Sequence, residues 1–307
     1  MKKTIFLTAI LLPFWALAQS SDTTGHKLLV TTAPRFGGVT VSDQLVPIKA
    51  GNSTITLSQP VVDISVPIYK NFTTPHPILF KTGFRYEGLF LSNETQISSN
   101  NFHSLSIPVL LSYSLSRTTN LAFVGLMTLS SDFKQNLGAD DILYTAGIRL
   151  GFQPSNTLRY GVTLTYISNY SGKFLIPVPD IDWTINKKWV LTGVVPSRVS
   201  LKYKLTGTQS IGVTNAYVSN TYLLNDPQKK QYLNLQQYTA GLIYDATIFK
   251  RWKLSLLVGH TVSQRLETFD MDQKVSFDSF GELNKRKPNV SYRENSFVIQ
   301  AAISYEF

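Results

Sequence analysis

The chain has 307 residues, a formal net charge of +10 and a hydrophobic content of 43%, with a mean hydropathy near zero. A basic balance of this size commonly points to nucleic acid, but no helix-turn-helix, zinc or RNA-recognition pattern accompanies it. There is no cysteine, which excludes a disulfide framework, a thiolate metal site and a lipidated cysteine behind an export signal.

Residues 1–18 read as a secretory signal: Lys2 and Lys3 form a charged start, an apolar stretch runs from Ile5 to Trp15, and Ala16-Leu17-Ala18 is a small-x-small cleavage site. The apolar stretch is shorter than the ~20 residues a membrane helix needs. The mature chain is expected to begin at Gln19 and to form one domain over 19–307.

From there, segments of alternating polarity recur nearly end to end, the clearest at 80–91, 105–115, 142–152, 158–167, 199–205, 238–248, 252–258 and 297–307. In the second of these, Leu105, Ile107, Val109, Leu111, Tyr113 and Leu115 share one face, with Ser104, Ser106, Ser112 and Ser114 on the other. Many such strands with no helical pattern to cover them cannot bury every apolar face in one small core. Lipid is the remaining cover, and in lipid only a closed barrel satisfies strand backbones. The frequent aromatics, 15 Tyr, 18 Phe and 4 Trp, suit interfacial girdles.

The breaks alternate in length. Short ones at 71–76, 117–120, 154–157, 186–188, 206–209 and 250–251 read as periplasmic turns. Longer ones at 92–101, 131–141, 220–234 and 266–295 read as outward loops. Keeping that alternation requires a break at Pro196-Ser197, where proline would interrupt a ladder anyway. Pro67 and Pro108 fall inside expected strands and mark bulges or interruptions. The predicted fold is therefore all-β, a transmembrane antiparallel up-and-down barrel of about 14 strands, or about 12 if the weak region 28–41 does not span.

The last strand places Phe297, Ile299, Ala301, Ile303, Tyr305 and Phe307 on one face and Gln300, Ser304 and Glu306 on the other. It resembles the closing strand of Gram-negative outer-membrane barrels. That resemblance implies that Ile303, Tyr305 and Phe307 form a signal read by the barrel-assembly machinery, with outer-membrane lipid and lipopolysaccharide as surroundings. The run Ile176-Pro177-Val178-Pro179-Asp180-Ile181-Asp182-Trp183, followed by Trp189, Pro196 and Tyr203, resembles an uncharacterised domain-of-unknown-function family of outer-membrane barrels, from about residue 64 onward. A weaker resemblance is to the long-chain fatty-acid transporters, although Thr32-Ala33-Pro34 stands where their Asn-Pro-Ala motif would be. These resemblances imply a barrel and, by analogy, a channel or small-solute transporter.

Strand parity points Lys81, Arg85, Arg149, Arg159, Arg198, Lys202, Lys204 and Lys253 into the interior, against Glu87, Asp245 and Glu306. Two readings stay open: a basic lumen that favours anions, or a salt-bridge network filling a plugged structural barrel. A lipid-modifying hydrolase would need a His and a Ser on one strand face. His103 is followed by Ser104, and His260 lies three residues before Ser263, so regular strands separate both pairs. His26 and His76 lie in a tail and a turn. Asp140, Asp141, Asp270, Asp272 and Asp278 lack the spacing of a calcium loop, and Gly37-Gly38 stands alone without a phosphate-loop pattern. No metal, cofactor, nucleic-acid partner or enzymatic activity is expected. The run Lys285-Arg286-Lys287 is a candidate contact for lipopolysaccharide phosphates. The 266–295 loop, rich in Phe269, Met271, Val275, Phe277, Phe280 and Leu283, is expected either to extend the last strands as a hairpin turning near Gly281 or to constrict the mouth.

Overall fold

The computed structural model describes residues 37–50, 53–135, 137–138, 141–225, 230–275 and 286–307. The signal segment and the turn expected near Gly281 lie outside them. The described residues form strands β1 (Gly38–Ala50), β2 (Ser53–Ser58), β3 (Val61–Asn71), β4 (Ile78–Ser92), β5 (Asn101–Ser114), β6 (Thr119–Ser131), β7 (Ile142–Phe152) and β8 (Leu158–Asn169). There follow β9 (Gly172–Thr184), β10 (Trp189–Val194), β11 (Arg198–Lys204), β12 (Gln209–Asn225), β13 (Lys230–Ile248), β14 (Trp252–Asp270), β15 (Val290–Tyr292) and β16 (Phe297–Glu306).

Each strand pairs antiparallel with its neighbour, and β16 closes the ring between β14 and β1. The segments β2 and β3 are one barrel strand broken at Gln59-Pro60, because both pair with β1 on one side and β4 on the other. With β15 a short outer addition to β14, the barrel has 14 strands. It is β1, paired with the C-terminal strand from Gly38 onward, that decides between twelve and fourteen.

Outward side chains such as Ile107, Ile148, Leu164, Val213, Leu242 and Ile299 are about half exposed or more and form an apolar belt. Trp183, Trp189, Tyr203, Trp252 and Tyr305 lie toward the end that carries the short turns. The ladder shifts register beside Pro67, where the missing N–H forces a bulge. Pro108 coincides with a gap in the β4–β5 ladder. The short turns and the break at Pro196-Ser197 fall where expected.

Two long loops do not. The expected loop 220–234 is mostly strand, since β12 runs to Asn225 and β13 begins at Lys230. The loop expected from Leu266 starts only after Asp270. These ends carry no alternating signal because both of their faces are buried. Residues 221–225, 232–235 and 266–269 are buried without a break. At 17, 19 and 19 residues, β12, β13 and β14 are the longest strands of the barrel.

Candidate functional site

The interior toward the short-turn end is lined with paired charges. Odd-numbered residues of β4 face inward, since Phe84 is exposed to the outside and Leu79 and Leu89 are buried. Lys81, Arg85 and Glu87 therefore share the inner wall with Asp63 of β3. The Arg85 guanidinium donates to Glu87 and lies 3.6 Å from Asp63. Arg149 is held most fully: its Nε and Nη2 each donate to an Asp180 oxygen at 2.8 Å, and its Nη1 donates to Asn120 Oδ1 at 2.9 Å. A Cβ at Gly151 or Gly161 would fall 2.0 or 2.6 Å from this guanidinium, so glycine there lets it lie flat on the wall.

Arg159 is buried opposite Asp182 in the β8–β9 register. Arg198 donates to Gln300 at 3.0 Å. Lys202 lies 2.5 Å from Asp245, and Lys253 lies 2.9 Å from Glu306 nearer the rim. Lys204 is exposed at the end of β11. Sequence reading omitted Asp63, Asp180 and Asp182. Asp180-Ile181-Asp182 carries the same period-2 signal as the basic residues and could have been read from it. With these carboxylates counted, acids interleave with the bases around the wall.

The opposite half of the interior is closed. The long ends of β12, β13 and β14 fold inward as a three-stranded tongue. One face, with Tyr222, Leu224, Leu233, Leu235 and Leu266, packs on Val46, Ile48, Leu57, Leu89, Leu91 and Phe102 of the far wall in one fully buried core. The Phe102 and Tyr222 rings pack at a tilt with centroids 5.5 Å apart. The other face packs Leu223, Tyr232 and Phe269 against Tyr170, Leu137, Leu143 and Met271. Each fully buried leucine contributes about 1.5–3 kcal/mol relative to exposure, so the docked tongue is held firmly.

The tongue reaches across the barrel. Leu223 bridges Ser131 of β6, Asp132 N–H donates to the Leu223 carbonyl at 3.0 Å, and Asn225 Nδ2 donates to Ser131 and Asp132 at 3.0 and 2.9 Å. At the level of Gln44 and Gln59, their side-chain amides donate to Gln237 from the facing wall at 2.6 and 3.4 Å.

Of the 266–295 stretch, Phe269 and Met271 join the outer face of the tongue, and Val275 bridges Gly172 of β9. Arg286 lies 4.4 Å over the Phe269 ring and donates to the Tyr232 hydroxyl. The neighbouring Tyr292 phenol donates to Glu94 at 3.0 Å. Burial first, then the Glu94 hydrogen bond and charge, hold this phenol protonated far above its usual range.

A cavity of about 510 Å³ opens at the short-turn end, lined by Phe72, Leu79, Ser112, Arg149, Gly151 and Arg159 among others. A recess of about 510 Å³ at the other end lies beside Lys49, Glu94, Tyr292 and Arg293. Among the described residues no group of three or more His, Cys, Asp or Glu is gathered as metal ligands.

His103 faces outward, 2.9 Å from the Tyr86 hydroxyl and packed by Phe90 and Phe133, whereas Ser104 is buried on the inner face. The second His/Ser pair departs from the sequence expectation. A register shift beside Tyr238 and Thr239 makes Val262 an extra residue and brings Ser263 onto the outer face with His260. His260 Nδ1 lies 2.7 Å from the Thr261 carbonyl oxygen, with no hydrogen bond to Ser263, so no nucleophile and base are joined.

No curated protein matches the chain. Among solved structures it is similar to a Pseudomonas aeruginosa FadL homologue, at 10% identity and a TM-score of 0.42 over 88% of this chain and 89% of that one. It is also similar to the Ralstonia pickettii toluene transporter TbuX, at 10% identity and 0.37 over 89% and 90%, and to the NanC porin, at 8% and 0.36 over 88% and 100%. At these values the function is read from this chain's own interior. The model of a domain of unknown function, DUF6268, matches residues 55–306, and the chain belongs to that family.

Proposed function

We propose that the protein is an outer-membrane channel or small-solute transporter whose resting form is shut by its own tongue, exported by the 1–18 signal and surrounded by lipid and lipopolysaccharide. The observation that carries this reading is the burial of both faces of the β12–β14 ends across a barrel whose other half keeps a polar, charge-lined mouth. A barrel that only needed filling could do so with side chains from its wall. Here three strands are lengthened and folded in, an element that can undock as a unit.

The decisive experiment shortens the hairpin by joining Asn220 to Leu235 through an Asn-Gly turn. The shortened barrel should assemble and conduct in a planar bilayer, while the full-length chain conducts rarely. Its interleaved charges should give only a modest anion preference. An assembled, shortened barrel that stays silent would leave the other reading, a sealed structural or surface-interaction barrel with a salt-bridged interior.

Assembly is testable separately. Phe307 lies beside Tyr305, whose ring packs at a tilt against Trp252, and its N–H donates to the Gly37 carbonyl, so it closes the seam between β16 and β1. Phe307→Ser should lower the amount of heat-modifiable barrel in the outer membrane through weaker engagement of the assembly machinery. Wild-type levels would count against Ile303, Tyr305 and Phe307 as the signal.

A further inference from the structure

Among the described residues the barrel wall has a gap in it. At 6 and 7 residues, β10 and β11 are about half as long as β9 and β12, which flank them. The β10–β11 hairpin ends where Val195 N–H donates to the Pro179 carbonyl and Tyr217 N–H donates to the Ser197 carbonyl. Beyond that crest, β9 continues to Gly172, paired with β8 and bridged on its other side by Val275 at Gly172 alone, and β12 continues until Leu223 meets β6. Among the described residues no strand pairs with either edge between these points. With two strands missing, β9 and β12 stand ~14 Å apart at the crest, three strand spacings. The gap lies at lipid depth, because Leu175, Pro177 and Pro179 are level with the lipid-facing Tyr166, Leu164 and Val162 of β8.

An unpaired strand edge in hydrocarbon is costly, and the sequence of this edge lowers the cost in a particular way. The N–H and C=O of one residue in a strand point to the same side, so the Pro179 carbonyl bond to Val195 places the N and O of residues 173, 175, 177 and 179 on the gap side. Two of these four are proline and have no N–H. The N–H of Lys173 donates to the Val275 carbonyl at 3.2 Å, which leaves Leu175 as the only other donor position on this stretch. An edge this poor in donors is a weak template for a further strand, since a peptide or a second copy would find only the Leu175 N–H free to donate along it.

The inner face of the same stretch is apolar as well. Above Asp180 and Asp182, β9 turns Phe174, Ile176 and Val178 inward. Beside the gap, apolar residues therefore line both sides of the wall.

We propose that the opening between β9 and β12 is a lateral port that admits a hydrocarbon chain from the surrounding leaflet into the barrel interior. The proposal deepens the transporter reading by naming its solute class as apolar or single-chain amphipathic molecules dissolved in the membrane. The absence of cysteine makes a single engineered thiol unique. A bimane label at Ile176→Cys, on the inner face, is placed in phosphatidylcholine vesicles whose acyl chains are brominated. Leu175→Cys serves as the lipid-facing control and Ser106→Cys, on the far inner wall, as the shielded one. Val178→Cys provides a second inner site should the first variant not assemble.

The label at Ile176 should lose as much fluorescence to brominated chains as the label at Leu175, while Ser106 loses none. Quenching at Ile176 by aqueous iodide but not by brominated chains, or by neither, would overturn the port. This outcome is independent of the conductance of the shortened tongue, so the port and the gate can fail separately.

Discussion

Replacing Arg149 by methionine is expected to cost about 3–5 kcal/mol of unfolding free energy, the usual effect of removing one partner of a buried ion pair. The Arg149 and Asp180 side chains are only 11% and 6% exposed. The guanidinium ties β6, β7 and β9 together through Asn120 and Asp180 while lying against Gly161 of β8. Without it, the Asp180 carboxylate loses both guanidinium hydrogen bonds, and these no longer offset its desolvation. The double variant Arg149→Met with Asp180→Leu should recover most of the loss, because no charge is then left orphaned. Lys253→Met, which breaks a pair whose lysine is half exposed, should cost no more than about 1 kcal/mol. Urea titration of the folded barrel in detergent, followed by its electrophoretic shift, measures all of these. An Arg149 effect as small as that of Lys253 would mean that the pair is better hydrated than its burial implies.

The second large effect is expected at Leu235. This side chain is fully buried where the tongue meets the far wall, and Leu235→Ala should weaken docking by about 2–5 kcal/mol through lost transfer energy and the cavity left behind. Because the tongue's contacts can open without breaking the ring of strands, the loss should fall on local opening and not on the barrel as a whole. Backbone amides of 221–225 and 232–235 should then exchange with solvent far faster than those of the membrane belt. Single-channel records should show openings far more often than for the unmodified chain. Unchanged exchange at the tongue, with a lowered stability of the entire barrel, would show that the tongue and wall unfold together and that the tongue is not a gate.

The weak prominence of this element in the sequence has a physical cause. Alternation reveals a strand only when its two faces meet different media, as in 105–115, where lipid lies on one side and the interior on the other. At Tyr222-Leu223-Leu224 and Tyr232-Leu233 both faces are buried, and the polar run Asn225-Asp226-Pro227 follows the first of them in the sequence, so the stretch reads as loop. The inward charges of β4, β7, β8, β11, β13 and β14 were legible because each interrupts an apolar period of two. Their partners were less so, since Asp63 sits beside the irregularity at Gln59-Pro60. Likewise, Ser263 changed faces through a bulge that no residue type announces.

By itself the sequence determined that this chain is a barrel, where its short turns lie, that a break falls at Pro196-Ser197, and which aromatic and aliphatic side chains face lipid. These follow from local rules, the period of two and the intolerance of ladders for proline, that act within a few residues. The tertiary structure alone decided that one half of the interior is sealed, that Arg149 meets Asp180 two strands away, and that β9 and β12 part above a short hairpin. Those outcomes depend on strand lengths compared around a closed ring and on which walls face each other, relations between separate strands that no local pattern encodes.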